Sequence, residues 1–168
     1  MNRGHRCRTS WPGARRSGLL AALLLALTAG AGSPAAAQSG TTACTPGVRT
    51  VGGAQVRTFC GPARATAKAG GKTFRFSGGQ CAISRGIFTV NIGTVTITRV
   101  EPKFSYLGID AQPPKAGAHH NQIVSWQVPG KGYSIISATV TIAAGLRSGT
   151  FSGRLLTGGV ASGSFTCS

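Results

Sequence analysis

Acidic side chains are almost missing from this sequence: 2 Asp+Glu stand against 18 Lys+Arg. Catalysis by paired carboxylates needs two acidic groups held in one site, and Glu101 and Asp110 are all the chain offers. Glu101 precedes Pro102 and Asp110 precedes a proline-rich stretch, positions that suit a surface charge or an ion pair. Histidine is as scarce, and beyond the N-terminal segment only the adjacent pair His119-His120 remains. The cysteines show no C-x2-C spacing, so the usual zinc frames are excluded, and no nucleophile-elbow pattern is present. We therefore expect a protein that is not an enzyme, with no catalytic residues, no metal and no cofactor. Long apolar runs are missing too. Leu19 to Leu27 is too short to cross about 30 Å of hydrocarbon, and nothing later approaches the roughly 18 residues a spanning helix needs. Apolar recurrence at helical spacing is also not sustained anywhere, which argues against a helical domain.

What is there begins with an export signal. Arg3, Arg6, Arg8, Arg15 and Arg16 form a basic stretch, Leu19 to Leu27 an apolar one, and Ala35-Ala36-Ala37 a cleavage site of small residues. We read 1–37 as a signal peptide and 38–168 as one secreted β domain beginning near Gln38. Removing residues 1–37 from 168 leaves 131, enough to bury roughly two thirds of the unfolded surface. Cys7 leaves with the signal, and Cys44, Cys60, Cys81 and Cys167 remain. An even number of cysteines in an exported chain implies two disulfides, with three connectivities open.

The 26 glycines and 8 prolines punctuate segments that alternate with period two. The expected fold is all-β, a single antiparallel β-sandwich or small β-barrel with two disulfides. In Ala63-Arg64-Ala65-Thr66-Ala67-Lys68-Ala69 small and polar residues alternate, and Gly70-Gly71 turns the chain into Lys72-Thr73-Phe74-Arg75-Phe76. A two-residue turn sets Ala67 against Phe74 and Ala65 against Phe76 on one face, and Thr66 against Arg75 on the other. Treating Val51-Gly52-Gly53 as a three-residue loop sets Val48 against Val56 and Cys44 against Cys60, which favours Cys44–Cys60 and leaves Cys81–Cys167. A bulge at Gly93 would bring Val95 and Ile97 onto the inward face of Phe88, Val90 and Ile92. Further strands are expected near Lys103 to Ile109, Gln122 to Val128, Tyr133 to Ala143, Thr150 to Leu156 and Val160 to Cys167. Gln112 to Asn121, with its two histidines, reads as a loop.

Three segments together, Ser77-Gly78-Gly79-Gln80-Cys81, Phe88-Thr89-Val90-Asn91-Ile92-Gly93 and Gly163-Ser164-Phe165-Thr166-Cys167-Ser168, resemble the actinobacterial LpqH-type lipoprotein antigen family over roughly residues 74–168. The resemblance implies a compact β domain at the cell envelope with one long-range disulfide, matching Cys81 and Cys167, and no catalytic residues to carry over. One departure concerns the lipid. Family members carry a lipidated cysteine directly after the apolar segment, whereas Cys44 lies well beyond Leu27 and behind the cleavage site, so we expect secretion without a lipid. The Cys44–Cys60 hairpin is an addition to the family pattern.

The charge points to partners. With five arginines gone from 18 basic residues, 13 remain against 2 acidic ones, a formal +11. Arg57, Arg64, Lys68, Lys72 and Arg75 cluster in the first two hairpins and are the expected polyanion-binding residues. Nucleic acid would call for exposed aromatics among those charges, yet Phe74 and Phe76 point inward in this register. We therefore expect no specific nucleic acid, and anionic cell-envelope polymers as the partners. The alternative is a small-ligand-binding β-barrel lined by Tyr106, Trp126 and Tyr133.

Overall fold

The computed structural model describes residues 44–98 and 103–168. The expected signal peptide, Cys7 and Glu101 lie outside the described residues. The strands are β1 (Gly47–Val51), β2 (Ala54–Thr58), β3 (Arg64–Ala69), β4 (Lys72–Ser77), β5 (Gly79–Ser84), β6 (Ile87–Thr96), β7 (Tyr106–Ala111), β8 (Gly117–Val128), β9 (Lys131–Ile142), β10 (Ser148–Arg154) and β11 (Val160–Thr166). They pair antiparallel in the order β1-β2-β6-β7-β8-β9-β10-β11-β3-β4, with β5 added on β6. Among the described residues, no helix is long and apolar enough to cross a membrane.

The sheet rolls over on itself. Phe88 of β6 and Phe165 of β11 are five places apart in the strand order, yet their rings pack 5.9 Å apart. Phe74 of β4 likewise reaches Trp126 of β8 at 6.5 Å. Cys81–Cys167 joins β5 to the residue after β11, and a bridge between Pro62 and Gly79 joins the segment before β3 to the start of β5. Both disulfides expected from the sequence are present.

The interior shows why so many alanines and glycines sit in these strands. Pairing runs Ile142, Gly149, Phe165, Ala65, Phe76 across β9, β10, β11, β3 and β4, and the next inward row is Val140, Phe151, Gly163, Ala67, Phe74. The glycines make room for rings: Phe165 lies over Gly149 and Phe151 over Gly163, where a Cβ would collide with each ring tip, and the alanines of β3 face Phe74 and Phe76. Trp126, Phe88, Phe151 and Phe165 are all buried, each contributing about 2 to 3 kcal/mol. The second hairpin keeps the expected register, Ala67 with Phe74 and Thr66 with Arg75.

Three local expectations are corrected. In the first hairpin Gly52 and Gly53 both take positive φ, 54° and 79°, so the loop has two residues and Val51 pairs with Ala54. Every partner therefore moves by one. Val48 faces Arg57 and is exposed, while Val56 is buried, and the slip is absorbed at Gly47 before the chain reaches Cys44. At Gly93 the strand bends, with φ of 89°, without turning Val95 and Ile97 inward. Val95 pairs with Arg57 and Ile97 is half exposed; Thr94 and Thr96 face Thr58 and Val56 instead. Finally, β8 starts at Gly117, so His119 and His120 belong to a strand rather than a loop. Pairing His119 with Val140 drives it inward, where it is 6% exposed.

Candidate functional site

The same pairing that fills the interior prints a polar pattern on the outside. Between the two inward rows lie Thr141, Thr150, Ser164, Thr66 and Arg75 in one outward row, and Thr139, Ser152, Ser162, Lys68 and Thr73 in the next. A further row carries Ser148, Thr166, Arg64 and Ser77. Hydroxyls therefore repeat at about 4.8 Å across strands and at about 7 Å along them, with cations at the β3–β4 end. Thr66 Oγ1 and Ser164 Oγ lie 3.1 Å apart, and His120 Nδ1 meets Thr139 Oγ1 at 3.1 Å on the border of the face. Arg64, Lys68 and Arg75 are exposed. A shallow trough of about 430 Å³ crosses the face between Lys68, Thr139, Thr150 and Ser162.

Of the five basic residues expected to act together, the fold gathers Arg64, Lys68 and Arg75 on this face. Lys72 sits at the tip of the β3–β4 hairpin and joins Lys68 around a second, larger cleft at the end of the roll. Arg57 stands apart. It lies on β2, far from β3 in the strand order, with its guanidinium 5.1 Å from the Phe59 ring centroid. The sequence reading missed Lys131 and Arg154 at the cleft and the hydroxyl rows of β9, β10 and β11. The signal for the rows was present in Thr139-Val140-Thr141, in Ser148 to Ser152 and in Ser162 to Thr166, where every second residue carries a hydroxyl.

Asp110 is the one acidic side chain among the described residues, and it lies on β7, opposite Thr89 and Ile123. Partial desolvation raises its pKa. His119 Nε2 is 2.8 Å from the Lys115 carbonyl oxygen, which uses that ring nitrogen structurally. Among the described residues no three His, Cys, Asp or Glu side chains gather as a metal site. Of the aromatics weighed as a pocket lining, Tyr133 borders the larger cleft, whereas Trp126 and Tyr106 do not. Trp126 is buried in the core, Tyr133 stacks on it at 4.9 Å, and Tyr106 folds across Gly108 to donate a 2.6 Å hydrogen bond to Asn91 Oδ1.

Tyr106 carries a pH signature. Burial pushes its phenol from 10 up to about 12, the Asp110 charge adding to the rise and Arg57 opposing it. Because the folded state holds the neutral phenol more tightly than the unfolded chain does, this contribution is complete below pH 10 and is lost as pH climbs from 10 towards 12. The expected loss is about 2 to 3 kcal/mol over that window. Denaturant titrations across alkaline pH should show it in the parent and not in Tyr106→Phe; equal slopes for the two proteins would refute the assignment.

Comparison with family models, with curated proteins and with solved structures finds no match for this chain.

Proposed function

We propose that this is an exported, non-enzymatic binding protein of the cell envelope or its surroundings, whose partners are anionic polymers held on the hydroxyl-and-cation face of β9, β10, β11, β3 and β4. One observation carries the reading: Arg64, Lys68 and Arg75 stand together, with no carboxylate of the described residues on their strands, at the margin of ordered hydroxyl rows. Unpaired cations attract a polyanion from a distance, and the hydroxyls supply short-range donors to phosphate or carboxylate oxygens. The flat, repeated geometry suits a repeating ligand better than a compact one. Two disulfides fit an oxidising compartment, and the LpqH-type resemblance, whose long-range bridge corresponds to Cys81–Cys167, agrees with the same location.

Binding of this kind weakens as salt rises, since exposed charges are screened within about 8 Å at physiological ionic strength. Titration against polyphosphate and alginate at 20 and 150 mM salt should show a steep loss of affinity, and Arg64→Glu/Lys68→Glu/Arg75→Glu should weaken binding at least tenfold at the lower salt. A triple variant that binds like the parent would overturn the reading, as would a parent no tighter than an unrelated protein of equal charge.

A further inference from the structure

We propose that the cleft at the end of the roll is a second anion site, separate from the flat face, that seats one phosphate monoester. It forms where the Gly70-Gly71 turn, the start of β9 and the β10–β11 turn converge, an open cleft of about 890 Å³, within the range of small-molecule sites. Lys68, Lys72, Lys131 and Arg154 line it, and among the described residues no carboxylate does. These four come from three separate parts of the chain, so their convergence is a product of the fold. Four cations around one cleft repel one another unless an anion occupies it, and a doubly charged phosphate relieves more of that repulsion than a single carboxylate.

The floor is built to hold one of these cations in place. Tyr133 is stacked on Trp126 with the planes 10° apart, and Phe74 closes in at 5.2 Å. One face of the phenol ring is thus covered by indole. Lys131 Nζ stands 5.2 Å from the ring centroid, which places the ammonium over the remaining face, where the ring quadrupole attracts it. Tyr133 is therefore a positioning residue for Lys131. The walls leave room for the ligand: a Cβ added at Gly70, Gly71, Gly158 or Gly159 would meet nothing within 4 Å. At the rim Val160 is 74% exposed beside these charges, an apolar surface for the carbon skeleton of an ester such as a sugar phosphate.

This inference deepens the polyanion reading, because Lys68 borders both the face and the cleft and a phosphorylated chain end is one source of the monoester. A free small ester is the other. The test titrates the intact protein with glucose 6-phosphate, inorganic phosphate and glucuronate by calorimetry, using variants that leave Lys68 untouched. Lys131→Ala/Arg154→Ala should weaken glucose 6-phosphate binding about tenfold or more, as expected for two charge-assisted contacts, while polyphosphate binding on the face changes less than threefold. Arg64→Ala/Arg75→Ala should do the reverse. Tyr133→Phe should keep the affinity, since the ring face remains, and Tyr133→Leu should lower it with thermal unfolding followed alongside to separate loss of position from loss of fold. Competition between polyphosphate and glucose 6-phosphate assigns the cleft to chain ends, and its absence to free esters. Unchanged glucose 6-phosphate affinity in Lys131→Ala/Arg154→Ala, or glucuronate binding as tightly as the phosphate ester, would overturn the site. Failure of the face variants alone would overturn the polymer reading and leave the cleft standing.

Discussion

Gly163→Ala is expected to destabilise the protein by about 3 kcal/mol, although it adds a single methyl group. A Cβ at that position would lie 2.1 Å from the carbonyl oxygen of Thr66 and 2.3 Å from the tip of the Phe151 ring. The first of these atoms belongs to the backbone of β3, which pairs with β11 through Ala67 and Gly163. It yields only if that pairing opens. The second can move, but Phe151 is 2% exposed and packs 6.3 Å from Trp126, so its displacement disturbs the centre of the core. Overpacking a filled interior typically costs 1 to 3 kcal/mol, and contact with unyielding backbone places this change at the upper end. Urea unfolding of Gly163→Ala beside the outward-facing Ser162→Ala provides the comparison, because the latter should stay within about 0.5 kcal/mol of the parent. Adding Phe151→Leu to Gly163→Ala should recover part of the loss by vacating the ring position, a coupling that independent sites would not show. A Gly163→Ala protein with the parent's midpoint would contradict the packing described.

The larger loss is expected from Cys81→Ala/Cys167→Ala. The bridge closes a sequence separation of 86, against 16 for Cys44–Cys60. On chain entropy the long bridge contributes between about 4 and 5 kcal/mol and the short one about 3. Its position strengthens the contrast. β5 has β6 as its sheet partner, so its covalent tie to the far side of the roll is the sulfur link to the end of β11, beside the backbone bridge between Pro62 and Gly79. A loss of that size is a large fraction of the 5 to 15 kcal/mol typical of folded domains. Chemical denaturation of the two double-alanine variants should rank Cys81→Ala/Cys167→Ala well below Cys44→Ala/Cys60→Ala, and the opposite ranking would show that native-state contacts outweigh loop closure here.

How far the sequence disclosed this arrangement depended on distance along the chain. The β3–β4 register was readable because Gly70-Gly71 can form a tight turn and the flanking alternation is unbroken. Val51-Gly52-Gly53 reads in sequence as a three-residue loop, and the positive φ at both glycines makes it a two-residue one. Strand β5 went unread because Gln80, Ala82, Ile83 and Ser84 are all exposed and Cys81 is partly buried, which leaves little apolar alternation to recognise. The two prolines Pro113 and Pro114 suggested a loop longer than the one that forms, and so hid the strand that carries His119. For the candidate sites the division is the same. Arg64, Lys68 and Arg75 lie within one hairpin and their shared face follows from period two, whereas Lys131 and Arg154 join Lys68 and Lys72 only after the sheet has rolled.

That rolling also sets a timetable. β3, near the start of the described chain, has β11, its final strand, as one neighbour, and Thr66 and Ser164 touch across 98 positions of sequence. Such remote partners must find each other before the roll can shut, which favours folding in milliseconds to seconds rather than microseconds. Until β11 is in place, β3 and β4 form a hairpin whose alanine stripe lacks the rings that cover it. A chain truncated after β10 should therefore remain open and prone to associate through that stripe, so β11 is the strand that makes the rest of the roll self-contained.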